Sequence, residues 1–151
     1  MRRSAGGVSV ITAGIGEDRT GATVTTAISF SVEPETMLVS INLSSSTWPA
    51  IRHYGHFCVN VLSDEQQAVA DRFAGRGGIK GPARYLGSSW SRLVTGAGVL
   101  DDALASVDCE VEEVIERHSH ALIFGAVRAV RLRDGAALAY GNGRYGSLNA
   151  L

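Results

Sequence analysis

Short apolar runs, some alternating and some continuous, dominate the chain. GVSVIT (Gly7 to Thr12), ATVTTAIS (Ala22 to Ser29), TMLVSINL (Thr36 to Leu43), FCVNVL (Phe57 to Leu62), SVDCEVEEVIE (Ser106 to Glu116), HALIFGAVRAVRL (His120 to Leu132) and ALAYG (Ala137 to Gly141) are each bounded by turn-forming residues. Period-2 alternation and β-branched enrichment predict a strand for each. A mostly β domain follows.

Helical periodicity is rarer. Ser63 followed by Asp64, Glu65 and Gln66 has the form of a capping box, with Val69, Ala70 and Phe73 on one face, Arg72 in the last turn and Gly75 as a stop. A shorter helix is expected to start at Thr47, with Pro49 in its first turn, and to run through Ile51. The span from Gly75 to Gly98, GRGGIKGPARYLGSSWSRLVTGAG, is loop-rich and too long for a plain connector, so it reads as a functional excursion. Few helices among many strands point to an antiparallel split β-barrel with a few short peripheral helices, because closure removes edges that a small open sheet would expose.

One strand is unusually polar. Between Thr23 and Ser31 the chain places five hydroxyl side chains within nine residues. A strand made only for a core does not carry so many groups that need partners once buried. The pattern implies a polar ligand against this segment.

Composition narrows the reading. With 151 residues, 45% hydrophobic and 19% charged, the chain suits one domain, residues 1–151, that builds a core without disulfides or metal. The formal net charge of −1 shows no electrostatic footprint for nucleic acid or an anionic membrane. No window approaches a membrane span or a signal h-region, so the expected location is the cytoplasm. Cys58 and Cys109 lie in apolar alternation without a CxxC spacing, which favours buried, inert thiols.

Several motifs fail on context. Gly141, Gly143 and Gly146 match G-x-G-x-x-G, but only five residues follow where a Rossmann unit needs a helix. GRGGIKGP lacks the Walker A spacing. The pairs His53/His56 and His118/His120 have no carboxylate or thiol at ligand spacing, so no metal is expected; in a strand both histidines of HSH share one face. No nucleophile elbow of the G-x-S-x-G type is present.

Three segments remain: TGATVTTAISFSVEPE, INLSSSTWPAI and HSHALIFGAV. Ser44, Ser45, Ser46 and Thr47 stand between a strand end and a helix start, a placement that offers amides and hydroxyls to a phosphate. In these segments the chain resembles the flavin reductase-like, FMN-binding split-barrel family, which includes the small reductase components of two-component flavin monooxygenases. GATVTTAISFSVEPE is similar to the family's G-x-T-x-S-S-F-x-S-V-S-x-D-P-P segment, and INLSSSTWPAI resembles N-x-x-S-x-T-x-x-I. FCVNVLSDEQQAVADRFAG resembles F-x-V-N-x-L-x-x-x-Q-x-x-x-A-x-x-F-A-G almost position for position, and ALAYGNGRYGSL resembles the usual ending. The likeness covers nearly the whole chain, with the pieces in the right order.

The resemblance implies a homodimer that binds FMN or FAD, takes NADH or NADPH as co-substrate, and supplies reduced flavin to a partner monooxygenase. By position, it implies ring contacts from Thr25, Thr26 and Ala27, with Ser29 and Ser31 near the ring edge. Asn42, Ser44, Ser45 and Thr47 would hold the ribityl chain and phosphate, His120 would place the nicotinamide, and Tyr145 and Arg144 would approach from the C-terminal segment. The chain departs from the family pattern where Ala27-Ile28 replaces an aromatic, EPE replaces D-P-P, and HSH replaces G-D-H. An FMN-binding carrier or sensor without pyridine-nucleotide turnover is the alternative that the altered HSH favours, and a split-barrel oxidase of another small substrate is a third.

Overall fold

A computed structural model of the chain describes residues 2–148. The strands are β1 (Gly6–Gly7), β2 (Ser9–Ala13), β3 (Thr20–Val24), β4 (Ile28–Val32), β5 (Glu35–Asn42), β6 (His56–Val61), β7 (Trp90–Ser91), β8 (Val99–Leu100), β9 (Ala105–Arg117), β10 (His120–Leu132), β11 (Ala137–Gly141) and β12 (Arg144–Leu148). Two α-helices, α1 (Thr47–Tyr54) and α2 (Gln67–Phe73), and three 3-10 turns lie between them. Seven strands form one antiparallel sheet in the order β3-β2-β6-β9-β10-β5-β4; β1, β11 and β12 form a second sheet, and β7 pairs with β8.

The large sheet does not close by hydrogen bonds, since β3 and β4 are its two free edges. Only Thr25, Thr26 and Ala27 separate those strands in sequence. A chain that short spans at most about 14 Å, so it holds the two edges close and leaves a seam between them. This is a split barrel, and the seam is where the site forms.

The predicted single strand Ala22–Ser29 is therefore two strands on opposite edges. Periodicity cannot reveal the break, because the hydroxyl-rich bridge has the same composition as the strands it joins. The predicted first strand also divides: Gly6 and Gly7 pair with β11 in the second sheet, while Ser9–Ala13 enters the large sheet. The helix expected to begin at the Ser63 capping box starts later, at Gln67. Half of the box is present, as the Gln66 side chain accepts from the Ser63 amide at 2.9 Å, but the intervening residues make a turn whose Gln66 amide donates to the Ser63 carbonyl. The Asp64 amide donates to Ala136, and that tertiary bond pulls the turn away from the helix axis. The Thr47 helix begins as expected and runs on to Tyr54, where Gly55 ends it in the left-handed region.

Two cores flank β2, which is buried along its whole length. Ile11, Val39, Ile51, Phe57, Val59 and Ile123 fill the barrel with α1 over one end. Val10, Leu62, Val69, Phe73, Tyr85 and Leu100 form a second cluster beneath α2 and the long excursion. Gly125 on β10 belongs to the first: a Cβ there would lie 2.5 Å from the Phe57 ring.

The Gly75 to Gly98 span, expected as a loop, is pinned to the barrel by buried polar bonds. Thr12 donates to the Gly98 carbonyl at 2.5 Å, and Tyr85 donates to the Thr20 carbonyl at 2.6 Å. Asp108, fully buried, accepts from the amides of Val94 and Thr95 and from the Thr95 hydroxyl. Both cysteines are buried, and burial raises the Cys58 thiol pKa and pushes that of Cys109 up to about 12. Thiolate chemistry is suppressed at both positions.

Candidate functional site in the barrel seam

A cleft of about 250 Å³ opens in the seam, lined by Thr25, Thr26, Ser40, Asn42, Ser45 and His120, with Thr23 at its β3 edge. The bridge between the barrel edges forms one wall. Thr26 donates from its hydroxyl to the Ser40 carbonyl at 2.9 Å, which fastens the bridge to β5. Thr25 and Thr26 are exposed, while Ala27 packs against the barrel core.

The second wall follows β5 into α1. The Asn42 carboxamide oxygen accepts from the Ser44 amide at 2.9 Å and from the Ser44 hydroxyl at 2.8 Å, a local turn that Asn forms readily. Ser45 accepts at its hydroxyl from the Thr47 amide at 3.2 Å. Thr47 is fully buried, and its hydroxyl has no hydrogen-bond partner among the described residues. Asn42 and Ser45 line the cleft, whereas Ser44 and Thr47 are not among its lining residues.

The third wall is the β9–β10 hairpin. His120 is directly opposite Asn42 in the β5–β10 register. The Leu43 amide donates to the Ser119 carbonyl at 2.9 Å, so the hairpin tip is tied to the end of β5. Ser119 Oγ lies 2.8 Å from His120 Nδ1, which leaves Nε2 as the ring nitrogen without a hydrogen bond among the described residues. His118 is not in a strand beside His120, as the HSH spacing predicts, but sits in the two-residue turn at φ 52°. A positive φ at this position explains why the resembling family carries glycine there.

The remaining candidates lie elsewhere. Ser29 and Ser31 are on β4, separated by a bulge and outside the cleft lining. Tyr145 lines a neighbouring cleft with Thr25, whereas Arg144 is exposed at the β11–β12 turn and lines neither cleft. Thr23 belongs to the hydroxyl-rich run that the sequence singles out, whereas Ser40 is a cleft residue that sequence reasoning missed; only the alternation in its strand hinted at a polar inner position. The lining carries hydroxyl and carboxamide groups and no carboxylate among the described residues. That donor and acceptor set suits a neutral heteroaromatic edge and a polyol phosphate, so the residues present fit a flavin.

A barrel split along one seam, with a hydroxyl-lined cleft in that seam, defines the split-barrel class of cofactor-binding folds. The chain belongs to the flavin reductase like domain family, which matches residues 1–149. It is 36% identical over 146 residues to the FMN reductase (NADH) RutF 2 of Rhizobium rhizogenes, covering 96% of this chain and 83% of that protein. Among solved structures it is similar to flavin reductase PheA2 in its native state, with TM-score 0.88 and 29% identity over 99% of this chain and 94% of that one. BorF, the flavin reductase component of a bacterial two-component tryptophan halogenase, superposes with TM-score 0.89 and 28% identity, covering 97% of this chain and 92% of its own.

Proposed function

We propose that this protein is an NAD(P)H-dependent flavin reductase that acts as a single domain over residues 1–151 and supplies reduced FMN or FAD to a partner oxygenase. The observation that carries the reading is the seam cleft, which brings Thr25, Thr26, Asn42, Ser45 and His120 together from three separate parts of the chain. The relatives named NADH-dependent FMN reductase, and the flavin reductase components among the structural neighbours, support it.

Thr25, Thr26 and Ala27 face the flavin ring, with Ser29 and Ser31 on the strand that continues from it. Asn42, Ser44, Ser45 and Thr47 hold the ribityl chain and phosphate. His120, braced by Ser119, orients the nicotinamide. The chemistry that a flavin held by these residues would supply is hydride acceptance at N5 from nicotinamide C4. The chain's share of the work is orientation: holding two rings in contact removes most of the entropic barrier to the transfer.

The functional unit is a homodimer in the cytoplasm. Support for the dimer comes from an apolar face at the β4 edge, where Ile28, Phe30 and Val32 are 52%, 56% and 82% exposed. Phe30 packs edge-on against Phe124, with ring centroids 5.1 Å apart, which extends the face across the sheet. Patches of this kind mark association surfaces. Among the described residues no helix is long and apolar enough to cross a membrane.

The deciding measurement follows nicotinamide absorbance with NADH or NADPH and FMN, FAD or riboflavin. Flavin-dependent oxidation with at least one pair is expected. A yellow protein that oxidises neither nucleotide would instead be a flavin carrier.

A further inference from the structure

A second cleft adjoins the first. It also measures about 250 Å³ and shares Thr23, Val24 and Thr25 with the seam cleft, while Ala74, Arg76, Tyr140 and Tyr145 form its far side. We propose that this second cleft takes the adenosine diphosphate moiety of a dinucleotide, with Arg76 as its phosphate-binding residue. The proposal rests on the flavin reductase reading of the neighbouring cleft.

Arg76 is the one lysine or arginine lining either cleft among the described residues. Its Nε lies 3.2 Å from the Asp71 carboxylate, but the two are not aligned as a hydrogen bond, since that oxygen has no such partner among the described residues. The terminal guanidinium nitrogens make no hydrogen bond among the described residues, and the side chain is 65% exposed. Asp71 lies at the base of the guanidinium as an ion-pair neighbour, and the fork stays open to a phosphate, which matches that geometry. Gly77 and Gly78 follow at φ 72° and 74° with open space at the position of a Cβ, so the backbone beside Arg76 is free of side chains.

The aromatic wall supplies the rest of the chemistry. Tyr140 and Tyr145 pack edge to face with centroids 5.2 Å apart, presenting ring surface to a purine. Burial, with Asp71 nearby, holds the Tyr145 phenol above its ordinary pKa, so its hydroxyl stays neutral. Each cleft alone falls below the about 300–1,000 Å³ of typical ligand pockets, whereas the contiguous pair lies within that range. FAD and NAD(P)H share the adenosine diphosphate group, so either can occupy the site.

The test is calorimetric titration of ADP into the purified protein, with Arg76→Ala and Tyr140→Leu beside the wild type and thermal melts to verify folding. ADP is expected to bind the wild type, and Arg76→Ala to weaken it about tenfold, as loss of a partly solvated charge-assisted bond does. Added salt should weaken the wild type more than Arg76→Ala. Flavin titration then separates the sources. Weaker FAD binding with unchanged FMN binding assigns the site to FAD. A raised KM for NADH with FMN as acceptor, and an unchanged KM for reduced nicotinamide mononucleotide, assigns it to the nicotinamide dinucleotide. Equal ADP affinity in wild type and Arg76→Ala, or no ADP binding by a protein that binds FMN normally, overturns the proposal and leaves the flavin reductase reading intact. Absence of FMN binding would remove that reading itself.

Discussion

Thr26 Oγ1 donates to the Ser40 carbonyl at 2.9 Å, and this bond fastens the bridge between β3 and β4 to the strand that leads into the Asn42–Thr47 turn. The bond ties the two walls of the seam cleft to each other.

Replacing Thr26 with Val should loosen the bridge while keeping its shape. A hydrogen bond of this kind contributes about 1 kcal/mol, so flavin affinity should fall by roughly three- to tenfold while the melting temperature changes by only a few degrees. Flavin fluorescence quenching against thermal melts would show it; a large loss of stability with unchanged flavin affinity would contradict the placement of Thr26 at the ring.

His120→Ala separates nicotinamide positioning from flavin binding. The expected result is a fall in kcat/KM for NAD(P)H of roughly 10- to 100-fold, the range of a lost orienting contact, with flavin affinity changed less than threefold. Steady-state kinetics at saturating flavin, paired with flavin titration, measure the two effects. Equal losses in both would argue against the nicotinamide role.

The apolar β4 edge predicts the oligomeric state. Phe30→Asp or Val32→Asp places a charge on a surface that a homodimer buries, and an unpaired buried charge opposes association strongly. Light scattering after size exclusion should report a dimer for the wild type and a monomer for either variant. A monomeric wild type would overturn the homodimer.

Acid sensitivity follows from His56, which is buried at the start of β6. The Gly14 amide donates to its Nε2 at 3.0 Å, so Nδ1 carries the proton and donates to the Thr95 carbonyl at 2.9 Å. The Gly14 bond requires the neutral ring, and desolvation, partly offset by the Thr95 carbonyl and Asp108, holds its pKa below the ordinary 6.5. Because the folded pKa is depressed, the unfolded chain takes the proton first as pH falls. Stability is then unaffected by this group above 6.5, declines below it, and levels once His56 itself is protonated in the fold. Melting temperatures from pH 7.5 to 5 should fall more steeply in the wild type than in His56→Gln.

The Asn60 side chain, fully buried, accepts from the Leu100 amide at 2.9 Å and from the Ser106 hydroxyl at 3.0 Å, and donates to the Val10 carbonyl at 3.2 Å. Asn60→Ala orphans several buried groups at once and should cost about 3 kcal/mol or more. Denaturant unfolding would measure it, with Asn60→Asp as the sterically matched comparison.

What the sequence determined alone was local and periodic. The apolar runs marked most strands, Thr47 and Pro49 marked the start of α1, and the ordered segments around Thr25, Asn42 and His120 marked the parts of the cleft. Tertiary structure decided what depends on partners distant in the chain. The break at Thr25–Ala27 arises because β3 and β4 find different neighbours, and no local signal separates those three residues from the strands beside them. Helix α2 starts at Gln67, not at Ser63, because the Asp64 amide bonds to Ala136, far along the chain. Arg76 lies in the loop-rich span after Gly75, and only the fold places it beside Tyr140 and Tyr145. Periodicity reports how a residue relates to its neighbours within a turn or a pleat, whereas a site of this kind is set by which edges of the barrel meet.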